Sequence, residues 1–480
     1  MPQPTIKLLS KTDIQAIHDI SLKILRDVGM MVHHTEVLKR LAEAGANVNS
    51  DKKIVRFNED LVMWALEKAG KQFAVRGRDP KKNARFGYGD LNLMSSPGQY
   101  SWFDDKTGRR RDPTLADAQA AIKVGDTLSN ITVVGAMSVP QDVPPQTFDV
   151  ILAAEMVQLT GKPTRCWNVN RRSSRYMLEI YAAVAGGKEA LKKNPMFVTF
   201  LEPISPLQLP ETGLDVLLEF LDYGQPVAIG PMAMASGTAP TTLAGTLAQE
   251  NAEIQGGIVT VQLLSPGTPI TYGGIPHIMD PRTSICAFGS PEQGLLAIGM
   301  AQLGKHYGFP VYVNVNLTDS KLLDAQTGME KMGSFVLGML SGADEFGHAG
   351  ILGTDHGGSL PWLVADNEAM NYAKRIARGF SVDDDSLAGS VVAEIGPAGN
   401  FLSHEHTLRH FRDEFWIPGS LWTRDSYDGW VAKGETSFYD RAVSEVKKIL
   451  DTYEPEPIDP ALKRELDKIV ETARAELCGS

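Results

Sequence analysis

Several segments of this chain end in side chains that could bind a small cation and orient it. In 310–316, Val311, Val313 and Val315 alternate with Tyr312, Asn314 and Asn316. If the segment is a strand, one face is a valine row suited to a helix layer. The other is a Tyr-Asn-Asn row facing a lumen. The same reading puts Asp344, Phe346 and His348 on one face of 344–348. In 196–202 it groups Val198, Phe200 and Glu202, and in 164–168 it pairs Arg165 with Trp167. In 269–274, Ile270 and Tyr272 share a face, and the chain runs on to His277. Aromatic faces beside a carboxylate suit a quaternary ammonium ion: the ring quadrupole attracts the charge and the carboxylate fixes it. The expected substrate-binding residues are therefore Glu202, Phe200, Tyr272, His277, Asn314 and Phe346.

Other motifs point to chemistry less well. Gly299 to His306 imitates a phosphate loop, but His306 stands where Ser or Thr would bind magnesium, and the segment reads as helix. His404, His406 and His410 are spaced so that three imidazoles could hold zinc. The simpler reading is a helix start with ring-to-backbone hydrogen bonds, and no metal site is assigned. Asp355 and His356 sit among glycines, but no Gly-x-Ser-x-Gly supplies a nucleophile. Cys166, mid-strand among apolar residues, reads as a structural thiol.

These segments need a scaffold that aligns strand ends. Strand-like runs at 131–137, 164–169, 196–202, 226–232, 269–274, 310–316 and 344–352 recur at roughly one strand–helix unit each. The eighth strand is either 91–96 or a segment near 357–362. That count predicts an α/β fold, a (β/α)8 TIM-type barrel over 91–380 with its site at the strand C-termini. Residues 1–90 read as a helical unit and polar connector, and 381–480 as a C-terminal helical extension. Across 480 residues the net charge is −11, which argues against nucleic acid. Three cysteines give no disulfide framework and fit a reducing, cytoplasmic setting. The first residues lack a signal-peptide core, and no apolar run is long enough for a membrane span.

A series of passages carries a family resemblance: HDISLKILRDVG at 18–29, LAEAGANV at 41–48, RGRDP at 76–80, DAQTGMEK at 324–331 and LSGAD at 340–344, then DNE at 366–368, HEHTLRHFR at 404–412 and FWIP at 415–418. In order and spacing the chain resembles the trimethylamine methyltransferase superfamily. It is most similar to the branch without pyrrolysine, typified by glycine betaine–corrinoid methyltransferases. The resemblance implies a barrel whose methyl acceptor is the Co(I) corrinoid (cobalamin) of a small partner protein, with no tightly bound cofactor of its own. Where the archaeal enzymes carry pyrrolysine, loosely between Asn314 and Lys321, this sequence has only standard residues. That favours a substrate already quaternary: glycine betaine first, with carnitine, proline betaine or choline as alternatives. Such a leaving group needs no proton, so the protein must hold the cation and orient one methyl. His348 and Asn316 are the expected catalytic pair, and His348, His277 and Arg165 the candidate donors for a substrate carboxylate. A zinc-dependent barrel enzyme and a non-catalytic betaine-binding protein are the competing classes, and a homo-oligomer is compatible with all of them.

Overall fold

The computed structural model describes residues 5–105 and 107–479. Its centre is a series of eight strand–helix units. The strands are β1 (Asn92–Ser95), β2 (Ile131–Gly135), β3 (Thr164–Arg165), β4 (Thr199–Leu201), β5 (Val227–Ile229), β6 (Ile270–Tyr272), β7 (Tyr312–Val313) and β8 (Glu345–Ala349). The helices that follow them are α1 (Leu115–Thr127), α2 (Phe148–Leu159), α3 (Arg171–Ala185), α4 (Glu211–Asp222), α5 (Leu243–Leu264), α6 (Pro291–His306), α7 (Ala325–Leu340) and α8 (Leu360–Arg378). Local chemistry sets their starts. Thr114 and Asn170 form capping boxes for α1 and α3, and Pro291 and Pro361 occupy first-turn positions that have no hydrogen bond to lose. The segment at 91–96 is thus the first strand. Gly357–Gly358 is only a short rim strand, paired with Trp102 and Ile351–Leu352.

All pairings in the series are parallel. The spatial order is β3-β2-β1-β8-β7, then β6 through a Tyr272–Val311 bridge, then β5 and β4. Among the described residues, β3 and β4 share no ladder. Side chains meet across that seam instead. The Arg165 guanidinium lies 5.3 Å from the Phe200 ring centre, and Trp167 meets the same ring edge-on at 6.3 Å.

Apolar packing separates the two faces of the strands. One cluster holds Val227, Ile229, Ile270, Tyr272, Val313 and Phe346 together with the helices. A second holds Met94, Val133, Val198, Ala228 and Tyr312 with the partly buried Phe200. This inner cluster also contains Phe73, Val75, Ala84 and Phe86, from the antiparallel hairpin Phe73–Arg76 and Asn83–Phe86. Phe73 and Phe86 stack at 4.8 Å. The expected polar connector is therefore a hairpin whose alternate residues plug the interior.

The N-terminal stretch also departs from an all-helical reading. Helices Lys11–Lys23, Thr35–Glu43 and Glu59–Lys68 are joined by a small sheet, Met30–Val32, Asn47–Asn49 and Ile54–Arg56, whose edge pairs with Gln208–Leu209. Strands of three residues show too little alternation to stand out against helical periodicity. After α8 comes an arm of short helices, from Phe380 to about Glu435. Two long helices then strap the outside: Phe438–Thr452 packs on α8 and α1, and Pro460–Cys478 on α3 and α2. No helix among the described residues is long and apolar enough to cross a membrane.

Candidate active site

A cavity of about 270 Å³ opens at the C-terminal ends of the strands. Trp167, Phe200 and Tyr312 form aromatic walls, and Met94, Met232 and Ile275 complete the apolar lining. Its polar groups are Arg165, Glu202, Asn314, His348, Gln99 and Asp355.

The charged groups of the cavity differ in their partners. Arg165, held by β3, is buried against Glu345 at 3.4 Å, a fixed cation already paired. Glu202 and Asp355 are different. Burial pushes the Glu202 carboxyl up to about 7, and among the described residues no side chain pairs with it. Burial likewise raises Asp355 to about 7, against the opposing hydrogen bond that Gln99 donates at 2.7 Å, and the charge of Glu202 raises it further. Two carboxyls that cannot both ionise comfortably in an apolar cup would be relieved by a bound permanent cation. His348 goes the other way. Burial, with Arg165 beside it, lowers its imidazole to about 3, so it is neutral and can offer one N–H. Its Nδ1 is buried without a protein partner. Asn314 is held in place: the Tyr312 hydroxyl donates to its Oδ1 at 3.3 Å and Gln293 donates to its carbonyl at 2.7 Å.

Of the residues expected from the sequence, Glu202, Phe200, Asn314 and His348 line this cavity together. Four others do not. Tyr272 faces the helix layer, where its hydroxyl donates to Asn251 Oδ1 at 2.8 Å on α5. The true period puts Thr271 inward, one residue from the expected register. Phe346 also points outward, edge-on to Phe335 of α7 at 5.3 Å. Strand β8 carries an irregularity between Phe346 and Ala349, and His348 sits at φ 64°. That bulge returns His348 to the lumen although Phe346 has left it. Asn316, at φ 65°, breaks the alternation of its own segment. Its backbone N–H donates to Ser334 at 3.1 Å, and its side chain lies by Asp366, behind the strand ends. His277 belongs to a three-strand loop sheet; its Nδ1–H donates to Ile275 O at 2.7 Å and its ring packs on Phe288.

The sequence reading missed Asp355, Gln99 and Tyr100 as cavity residues. All three lie on loops beyond strand ends, and Asp355 stands at φ 63°. The usable signal was position: Gln99 follows β1 across a Pro-Gly turn, and Asp355 follows β8 within a glycine-rich loop. His348 and Asp355 hold left-handed backbone at a cost of order 1 kcal/mol each, a strain that collects at functional sites. Elsewhere, residues 299–306 lie within helix α6, and burial drives the Cys166 thiol far above its ordinary range, leaving it no nucleophile. None of His404, His406 and His410 lines the cavity.

The sequence profile of the trimethylamine methyltransferase (MTTB) family matches residues 1–478. The chain belongs to this family. Trimethylamine methyltransferase MttB of Desulfitobacterium hafniense (strain DSM 10664 / DCB-2) is 32% identical over 97% of the chain and 94% of its own length. Glycine betaine methyltransferase of Desulfitobacterium hafniense (strain Y51) is 31% identical over 97% of each. Trimethylamine methyltransferase MttB of Methanosarcina barkeri (strain Fusaro / DSM 804) is 30% identical over 98% of the chain and 95% of its own length. A crystal structure of MtmB with hydroxylamine shares the fold at a TM-score of 0.51 and 12% identity, covering 99% of this chain and 95% of that one. Methyltransferase membership is thereby borne out. The relatives divide between two amines at nearly equal identity, so within the MTTB family the cavity must argue for the substrate.

Proposed function

We propose that this chain takes a methyl group from a small quaternary amine, glycine betaine foremost, and passes it to the Co(I) corrinoid of a partner protein. In this reading the eight strands close side by side into a TIM-type barrel, and the enzyme works in the cytoplasm. The carrying observation is the pair of buried carboxyls without a cationic partner, Glu202 and Asp355, in a cavity that Arg165 also lines. A betaine has a permanent cation and an anion a short distance apart; Glu202 and Asp355 face the first, and Arg165, although it also pairs with Glu345, has further N–H groups to donate to the second. Arg165 favours carboxylated amines over choline. Trp167, Phe200 and Tyr312 contribute ring faces to the methyl groups.

The corrinoid, as second substrate, supplies the electron pair for the new carbon bond. The C–N pair stays on nitrogen and a neutral tertiary amine (dimethylglycine from betaine) leaves. The residues do the rest. Glu202 and Asp355 hold the ammonium until its charge disperses, Arg165 and the neutral His348 hold the carboxylate, and the aromatic walls exclude water and aim one methyl at the mouth. No residue need deliver a proton in the methyl-transfer step. Incubating the protein with Co(I) cobalamin and, in turn, glycine betaine, carnitine, proline betaine, choline and trimethylamine tests this. The methylcobalamin spectrum should appear fastest with a carboxylated quaternary amine. No methylcobalamin with any quaternary amine sinks the proposal.

A further inference from the structure

The arm between Phe380 and Glu435 presents a physical problem. Helices Asp384–Leu387, Gly389–Ile395, Glu405–Glu414 and Tyr427–Ala432 have no buried residue. Helices this short are marginal without tertiary support, and helices that bury nothing of their own gain from a cross-link. At the point where two of these helices meet, three side chains converge. His406 and His410 are four residues apart on one face of Glu405–Glu414, with ring centres 4.3 Å apart. Asp385, on Asp384–Leu387, points at them. Ligand atoms of all three lie within 4.8 Å of one another.

We propose that Asp385, His406 and His410 form a divalent transition-metal site, best suited to zinc, that ties these two helices together. The details favour ligation over an ordinary polar contact. His410 Nε2 is buried, 3.0 Å from Asp385 Oδ2, yet among the described residues it has no hydrogen-bond partner, which leaves its lone pair for an ion. Nitrogen and oxygen ligands bound at about 2 Å to one tetrahedral ion sit at about this separation. The other oxygen, Asp385 Oδ1, is braced by Arg409 at 3.4 Å, as an outer partner braces a ligating carboxylate. His406 Nε2–H donates to the Asp385 carbonyl at 3.1 Å, the outer bond that fixes the ring and leaves Nδ1 as its ligand atom. Two borderline imidazoles with one hard carboxylate oxygen make a donor set that zinc accepts, with a water completing the tetrahedron. His404 is not a member. Its Nδ1 caps its own helix, accepting from the His406 backbone at 3.0 Å, and its Nε2 faces Glu394 at 3.5 Å. The ion would be structural, because none of the three ligands lines the strand-end cavity.

The test uses the full chain, stripped with a chelator and titrated with zinc against a chromophoric competitor. Metal content is read by mass spectrometry and order by hydrogen exchange. We expect close to one zinc per chain with sub-micromolar affinity. Exchange should slow across 384–414 and stay unchanged in the barrel strands, and methyl transfer should be equal with and without metal. His406→Ala with His410→Ala should abolish binding. Asp385→Asn, which keeps the shape, should weaken it about tenfold or more. Three results would overturn the site: less than stoichiometric zinc in excess metal, zinc binding retained at full affinity in Asp385→Asn, or exchange across 384–414 indifferent to zinc. Should the double histidine variant misfold, the asparagine variant decides alone.

Discussion

The strand–helix series and the arm treat the same kinds of residue in opposite ways. Among the described residues, seven large apolar side chains are exposed between Asn92 and Arg378, but eleven between Phe380 and Val431, a segment less than a fifth as long. Leu402, Tyr427, Leu408 and Phe415 are 82%, 75%, 70% and 67% exposed. In the series, by contrast, two apolar clusters fill the space on both sides of the strands and fix each strand end. Position in the first region is set by many contacts at once, so a polar side chain there can be held against its own preference. Position in the arm is set by polar contacts and by one small aromatic cluster, Trp416 and Trp422 against Tyr372, with Leu421 its buried anchor. Changes in the first region should therefore separate function from stability sharply, and changes in the arm should affect neither unless they touch its cross-link.

The largest expected effect is at the carboxyl pair. Glu202→Gln combined with Asp355→Asn should lower the kcat/KM of methyl transfer about 100-fold or more, the loss typical when a charge-stabilising group is removed. Unfolding temperature should hold or rise, since two unfavourably buried acids are gone. Near-normal transfer would mean that the cation is held elsewhere. Next in size is a pair of neighbours on β8. Phe346→Ala should cost about 3–5 kcal/mol of stability in denaturant titrations, as a buried ring removed from the helix layer. His348→Ala should leave stability nearly intact and lower transfer about tenfold or more. Like effects at the two positions would restore plain alternation along that strand and refute the bulge.

Smaller is the dependence on pH. The raised carboxyls of Glu202 and Asp355 bind protons more tightly in the fold than in the unfolded chain. Their contribution to stability is present below about pH 4 and is lost as pH rises through about 7. The unfolding temperature of the free protein should fall over that window, and a saturating quaternary amine should flatten the fall. An unchanged slope with the amine present would remove Glu202 and Asp355 from the cation site. The smallest expected effect lies in the arm. Leu408→Ser should change unfolding free energy by no more than about 0.5 kcal/mol and leave transfer unaltered. A large loss would show that this face is covered in solution.

Much of the fold could be read in the sequence because strand and helix periods alternate strongly from 91 onward. Val311, Val313 and Val315 marked their outer face correctly, and the segment ending in Phe200 and Glu202 kept its period to the end. The readings failed where backbone left regular geometry. A single left-handed residue separates Phe346 from His348 in orientation, and another turns Asn316 away from the row begun by Tyr312 and Asn314. Residue type announces such a position only weakly when it is not glycine: Asn and His are enriched there, but most of them stay in ordinary backbone regions. Tyr272 failed for another reason: an aromatic at a strand end serves a helix-layer hydroxyl contact as readily as a lumen, and only its partner Asn251, 21 positions away, decides. Asp355 and Gln99 were hidden because loops bring them in, and loop geometry has no period.

The two carboxyls near pH 7 have a consequence for how the enzyme exchanges matter with its surroundings. Near neutrality the free cavity holds about one proton, shared between Glu202 and Asp355. On the proposed reaction, a cation that enters would displace it, and the neutral amine left after transfer would invite one back. The protein would thus exhale and inhale a proton in every turnover, although none moves with the methyl group. Heats of amine binding measured in buffers of different ionisation enthalpy should then differ in proportion to that exchange, while a solvent isotope effect on the transfer step itself should be absent.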